Sequence, residues 1–412
     1  MRILISIAVR LYSVAVFLAA PFNGKARLWS NGRKQLFQKL AKAVADNDHP
    51  VWIHSASLGE YEQARPIIEK IKRERPDTKI LVTFFSPSGY EIRKNDSLPD
   101  YIFYLPIDTV RNARRFLRTV RPSMAIFIKY EFWYNYMIEL SRNSISFYYV
   151  SAIFRPNQYF FKPWGRWFVS CLCKATRLFV QTPESKNLLA EVGIPQAEVC
   201  GDTRFDRVYA IAQQAITVEV AETFQQDAKL IVAGSTWGPD EQLLAQLLPR
   251  LKGYKLIVAP HEISRKEEVI RTFANFKTMA YTELGDRNPA DYDVLIIDTI
   301  GLLSKLYRYS TLSYVGGAFK TGLHNILEAA VYGVPLFFGP HYDHFNEAVM
   351  LVGKGGAFSV SNAEEMLQVV QQFENDPDAY ARVCAVCREY VAANVGACDR
   401  IFNHIFNKNI LE

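Results

Sequence analysis

From residue 49 onward, short apolar runs alternate with stretches of helical period, and this alternation restricts the fold more than any other property of the chain. The apolar runs are 51–55, 80–85, 102–105, 124–128, 146–150, 178–181 and 198–201. Helical patterns such as 61–73 and 111–120 fill the intervals. Strands that are apolar on both faces and separated by amphipathic helices belong in a parallel sheet covered on both sides. The alternation pauses over the polar helical segment 204–227 and then resumes at 230–233, 256–259, 278–281, 294–297, 312–315, 336–338 and 357–360. Only helical patterns follow residue 363. A chain of 412 residues exceeds the size at which a single core keeps growing. The expected architecture is therefore α/β, with two doubly wound halves facing a cleft: residues 49–206, a linker over 207–227, and residues 228–412. In such sheets ligands bind beyond the carboxyl ends of the strands.

The N-terminus adds a separate element. Residues 3–22 are apolar apart from Arg10 and a few small or amphipathic polar residues, long enough to span a bilayer. A basic flank follows, with Lys25, Arg27, Arg33, Lys34, Lys39 and Lys42 around Trp29. Small residues at Leu18-Ala19-Ala20 would suit a cleaved leader, whereas the basic flank favours a retained anchor, residues 1–22, with its C-terminal side in the cytoplasm. Arg10 leaves both a spanning helix and one lying in the headgroups open. The net charge of +6 suits an anionic substrate or a membrane surface, and no nucleic-acid motif is present. Six dispersed cysteines, including Cys384-x-x-Cys387 without a second pair, read as reduced thiols rather than a disulfide framework or zinc site.

Chemistry gathers at the strand ends. The first strand runs into His54-Ser55-Ala56-Ser57-Leu58-Gly59-Glu60. Ser57-x-x-Glu60 fits a capping box, and Glu60 equally fits a general base near a glycine that admits a substrate. The fourth strand ends in Lys129-Tyr130-Glu131-Phe132-Trp133-Tyr134-Asn135, placing Glu131 beside an aromatic wall. Gly201-Asp202-Thr203-Arg204-Phe205-Asp206 closes the first half; Arg204 could pair with Asp206 or stabilise developing charge. In the second half, Gly234-Ser235-Thr236, Pro260-His261 and Asp298-Thr299-Ile300-Gly301 end successive strands. The stretch 312–347 carries a strand through Gly316-Gly317 to Gly322-Leu323-His324-Asn325 and a helix expected over 326–332. Unpaired N–H groups and a helix N-terminus form an anion site, and Glu328 is placed to accept from a ribose. Asp291-x-Asp293 precedes its strand and His341-x-x-His344 lies in a loop, so no metal is expected. Arg111, Arg114, Arg115 and Arg118 fall on one face of a helix that could meet anionic lipid headgroups.

Read together, these motifs resemble the Kdo transferases, glycosyltransferase family 30, which add 3-deoxy-D-manno-octulosonic acid to lipid A precursors. The family's His-Ala-Ala-Ser-Val-Gly-Glu box is similar to His54–Glu60, and its Thr-Glu-Leu-Trp-Pro-Asn box to Tyr130–Asn135. Gly-Asn-x-Lys-Phe-Asp resembles Gly201–Asp206, and Gly-Gly-His-Asn-Pro-Leu-Glu resembles Gly322–Glu328. The resemblance implies a GT-B fold of two Rossmann-like domains and metal-independent, inverting transfer of Kdo from CMP-Kdo to a lipid A precursor, on the cytoplasmic face of the inner membrane. It implies that Glu60 is the catalytic base, assisted by Glu131 and Arg204. It assigns the CMP portion of the donor to Pro260, His261, Gly301, Leu302, Leu303, Asn325, Ile326, Leu327 and Glu328. This chain departs from the family at His261 (usually Arg), Arg204 (usually Lys), Leu302 (often Glu) and Leu323 (usually Gly), and Arg265 could supply the phosphate contact that His261 lacks. Two other classes fit the sequence: a soluble nucleotide-sugar 2-epimerase of the same fold, and a non-catalytic, membrane-bound nucleotide-binding protein.

Overall fold

In a computed structural model, which describes residues 2–320 and 322–407, the chain divides into two units, Met1–Arg207 with Val395–Glu412 and Val208–Asn394. The first unit contains β1 (Val51–His54), β2 (Ile80–Phe84), β3 (Tyr101–Tyr104), β4 (Met124–Ile128), β5 (Ser146–Ala152), β6 (Arg177–Val180) and β7 (Ala197–Val199). They form one seven-stranded sheet, ordered β3-β2-β1-β4-β5-β6-β7, and every pairing is parallel. Alternate residues feed opposite layers. Trp52, Leu81, Ala125 and Phe127 pack with Phe116 and Tyr136 on one face, while Ile53, Val82, Ile126 and Ile128 pack with Ile67 and Ile71 on the other. That two-sided burial is why these strands read as unbroken apolar runs.

The second unit repeats the plan. β8 (Lys229–Thr236), β9 (Tyr254–Pro260), β10 (Thr278–Ala280), β11 (Val294–Ile296), β12 (Leu312–Val315), β13 (Leu336–Phe338) and β14 (Ala357–Ser359) form a seven-stranded parallel sheet ordered β10-β11-β9-β8-β12-β13-β14. In each sheet the strand order reverses beside the first strand, between β1 and β4 and between β8 and β12. These reversals are where doubly wound sheets open a crevice for a ligand.

Two expectations are corrected. Residues 228–412 do not form one domain. The Ala397–Phe406 helix lies in the first unit, where Cys398, Ile401, Phe402 and Ile405 join the layer containing Ile53 and Ile126. Asp206 fixes its start by accepting the N–H groups of Gly396 (2.8 Å) and Cys398 (3.3 Å). The segment 207–227 is helical, as its pattern indicates: it holds most of the Thr203–Gln213 helix and all of Glu219–Gln225, with the boundary between units falling inside the former. The helix expected over 326–332 is a single turn, Leu327–Ala330, capped by Val331 and followed by a turn that leads into Gly333 at φ 67°.

The N-terminal segment forms one helix, Arg2–Ala19, with the length and composition of a membrane span. It lies along the first unit instead of projecting from it. Arg2 forms an ion pair with Glu139, and Ser6 is buried, its Oγ accepting the Val110 N–H at 3.3 Å. Further along, Tyr12 meets Trp29 edge-on at 6.0 Å and stacks on Phe85 at 6.3 Å. The opposite side leaves Leu4, Leu11, Val14 and Leu18 exposed.

Candidate active site

In the first unit the site grows from the end of β1. His54 is fully buried. Its Nδ1 lies 2.8 Å from the Thr83 hydroxyl, which also accepts the Trp52 indole N–H at 2.8 Å. Because the indole can only donate, the Thr83 proton is free to be donated to Nδ1, which leaves the imidazole proton on Nε2. That nitrogen is 3.1 Å from Glu131 Oε2, and the Trp133 indole donates to the same oxygen at 2.7 Å. Glu131 is thus held by two donors. The chain reaches it through Lys129, whose φ of 63° turns the backbone sharply at the end of β4. A left-handed conformation at a non-glycine residue costs energy and is common where a site is being built.

Glu60 sits at N3 of the Leu58–Glu74 helix, and the capping box is formed: its Oε2 accepts the Ser57 N–H at 3.0 Å. Burial and the neighbouring Glu131 charge raise its pKa to about 7, against the backbone hydrogen bonds of Ser57 and Ala56 and the charge of Lys129. Capping and base are therefore compatible: one carboxylate closes the helix and titrates where a general base works best. Arg204 does not pair with Asp206, which is engaged by the C-terminal helix. Arg204 Nε donates to Asp202 at 2.8 Å, and Asp202 also accepts from Gln63, one turn beyond Glu60. The Thr203 hydroxyl donates to the Gln63 carbonyl at 2.7 Å. Glu60, Glu131 and Arg204 are thus carried by elements packed together in one unit.

In the second unit the reversal between β8 and β12 gathers the residues expected to hold the donor. Trp237, His261 and His324 form a stack, with ring centroids 5.1 and 4.3 Å apart. Burial, followed by the neighbouring His261, lowers the His324 pKa to about 4, and its Nε2 accepts the Trp237 indole N–H at 3.4 Å. The His261 strand end and the Gly322–Asn325 loop are therefore adjacent. Asn325 Nδ2 donates to Glu328 at 3.0 Å, and Tyr332 donates to the Ser304 carbonyl at 2.9 Å, tying residues 301–304 to the same turn.

Beside the stack lies a pocket of about 250 Å³ lined by Trp237, Gly238, Asp240, Arg265, Gly317 and Lys320, among others. Gly316 could not carry a side chain, since its Cβ would lie 2.5 Å from the Ser235 carbonyl oxygen. The N–H groups of this loop are not all open to an anion. Gly317 donates to buried Asp240 at 3.1 Å, and Asp240 also holds the Trp237 N–H (2.9 Å) and the Tyr314 hydroxyl (2.9 Å). Arg265, which lines this pocket, is already engaged by a carboxylate. Its guanidinium is bidentate to buried Glu241 at 2.9 and 2.8 Å, which raises its pKa. Lys320, which makes no ion pair among the described residues, is the other cation lining this pocket. A helix of one turn carries little macrodipole, so that contribution to anion binding is smaller than the sequence suggested.

Sequence reasoning passed over four participants: His54, Lys129, Asp240 and Lys320. His54 alone left a signal, a polar residue ending an apolar strand. The other three act through a backbone angle, a burial and a pocket wall that no spacing reveals.

Residues 31–207 match the family model described as 3-Deoxy-D-manno-octulosonic-acid transferase (kdotransferase). Among curated proteins, a 3-deoxy-D-manno-octulosonic acid transferase of Aquifex aeolicus is 29% identical over 77% of this chain and 84% of its own length. One from Rickettsia felis is 28% identical over 77% of this chain and 70% of its own. Among solved structures, UDP-GlcNAc 2-epimerase from Neisseria meningitidis superposes with a TM-score of 0.62 at 16% identity, covering 87% of this chain and 100% of that one. At that identity the likeness establishes the two-unit fold alone.

Proposed function

We propose that this chain, like the Kdo transferases it resembles, moves Kdo from CMP-Kdo to a hydroxyl of a lipid A precursor, a step of lipopolysaccharide core synthesis, with Glu60 as the base. The observation that carries this reading is a helix-capping carboxyl, Glu60, at the sheet's reversal point and within the matched residues, where burial and the neighbouring Glu131 carboxylate favour its proton. Glu60 takes the acceptor proton as the hydroxyl oxygen attacks the anomeric carbon. The bond to the cytidylate oxygen breaks, and configuration inverts in one displacement. Glu131, held by His54 and Trp133, keeps the Glu60 pKa high until the acceptor arrives. Arg204 offers positive charge to the donor's carboxylate. General-base help of this kind is typically worth about 10²–10⁴-fold.

The second unit would hold CMP: Pro260, His261 and Gly301–Leu303 on one side, Asn325–Glu328 on the other, with Lys320 toward the phosphate. That cation and the loop N–H groups receive the leaving charge, so no metal is required in this scheme. The N-terminal helix, fastened to the first unit by Arg2, Ser6 and Tyr12, suits an element lying in the headgroup layer with its exposed apolar side in the lipid, on the cytoplasmic face of the inner membrane. Anionic lipids around the basic flank would strengthen that attachment. The epimerase alternative rests on fold likeness alone, whereas the similar sequences are named transferases. The test is incubation with CMP-Kdo and tetra-acylated precursor in detergent with EDTA, followed by mass spectrometry of the lipid. A mass gain of one or more Kdo residues is expected; an unchanged lipid beside an epimerised sugar nucleotide would replace the reading.

A further inference from the structure

Between the Arg2–Ala19 and Val110–Val120 helices lies a pocket of about 440 Å³ lined by Ile3, Ser6, Ile7, Arg10, Arg111, Arg114 and Arg118, with Val110 at its base. Neither helix contains an aspartate or glutamate. Two buried carboxylates lie nearby: Glu139 is shared by Arg2, Arg114 (3.3 Å) and Arg142 (3.5 Å), and Asp108 feels the charge of Arg2 while accepting the Asn135 and Tyr136 N–H groups. Arg10, Arg111 and Arg118 form no ion pair among the described residues, although Arg121, just past the second helix, is paired to Asp46. Arg115, which the sequence placed on the same face, instead covers the Phe37 ring at 4.3 Å. Like charges brought together without a counter-ion repel, unless an anion joins them. Apart from Ser6, whose hydroxyl oxygen is taken by the Val110 N–H, the remaining wall is apolar, Ile3 and Ile7, and continues into the exposed face with Leu4 and Leu11.

We propose that this pocket binds the phosphomonoester headgroup of a membrane lipid, with Arg10, Arg111 and Arg118 on the phosphate and the lipid chains along Ile3, Ile7 and the exposed side of the N-terminal helix. A phosphomonoester suits three arginines lining one pocket because it carries up to two negative charges and three acceptor oxygens that guanidinium groups can bind in forked geometry. The apolar wall commits the site to an amphiphile rather than to free phosphate. The proposal rests on the in-plane membrane attachment above and makes it specific: the attachment has a headgroup-selective site rather than only a diffuse positive field.

The test is partition of the full-length protein onto vesicles of phosphatidylcholine with either phosphatidic acid or phosphatidylglycerol, matched for surface charge. Wild-type protein should favour phosphatidic acid. Arg111→Ala and Arg118→Ala should each weaken that binding about fivefold, and the double variant should lose the preference between the two lipids. Arg111→Lys, which keeps charge and fold, should lose preference while retaining most of the overall binding. Arg115→Ala should keep the preference. Equal partition of wild type on both vesicles, or loss of preference in Arg115→Ala equal to that in Arg111→Ala, overturns the site. Full displacement by millimolar inorganic phosphate would show a free-phosphate site and overturn the lipid assignment. Failure of the transfer reaction in detergent would bear on the proposed function and leave this measurement unaffected.

Discussion

A carboxyl that titrates near neutrality leaves its mark on the rate. With the Glu60 pKa at about 7, kcat/KM should rise with pH through that value, because the base must be ionised to accept a proton. Glu60→Gln should keep the capping box, fold normally and lose at least about 100-fold in transfer; activity within a few-fold of wild type would leave Glu60 as a cap alone. The same titration acts on stability. Between about 4.5 and about 7 the unfolded chain has ionised this carboxyl while the folded chain keeps its proton, so stability falls as pH rises across that window. Glu60→Gln should flatten that slope, measurable as Tm against pH. Glu131 contributes to the shift by its charge, so Glu131→Gln should move the kinetic limb to lower pH, whereas an unmoved limb would leave burial as the cause. Glu60 and Glu131 were legible at their positions; the buried His54 and Thr83 contacts that orient Glu131 were not, because a hydrogen bond between neighbouring parallel strands has no fixed sequence spacing.

At the scale of elements, the glycine loop after β12 is shaped by tight packing as much as by the need to reach a ligand. Gly316→Ala places a methyl against the backbone of Ser235 and Thr236, atoms that cannot step aside as a side chain could. It should cost about 1–3 kcal/mol in chemical denaturation; a neutral result would mean the loop can move away from β8. One turn further on, Asn325 orients Glu328, so Glu328→Ala should raise the donor KM more than the acceptor KM. The reverse pattern would place the nucleotide elsewhere. The glycines announced the loop, yet the single-turn helix was not foreseen: its apolar period matches a longer helix, but Val331 and Tyr332 already lie in a turn, and the N–H groups of Tyr332 and Gly333 bond three residues back.

Across the whole molecule, the last helix belongs to the first unit. Removing residues 395–412 should destabilise residues 1–207, since Ile401, Phe402 and Ile405 each contribute about 1.5–3 kcal/mol of burial there. Hydrogen exchange should show β1 and β4 losing protection while β8 and β12 keep theirs; unchanged protection in β1 would contradict the packing. Hydrophobic period fixes a strand or helix locally, and the two-sided apolar runs were enough to specify two parallel sheets and the strand ends where chemistry gathers. Local pattern holds no record of which layer a terminal amphipathic helix will cover, whether an apolar N-terminal helix projects or lies flat, or which carboxylate a given arginine finds. Those outcomes depend on contacts between residues far apart in the chain, such as Asp206 with Gly396, Arg2 with Glu139 and Arg265 with Glu241, and only the folded structure decides them.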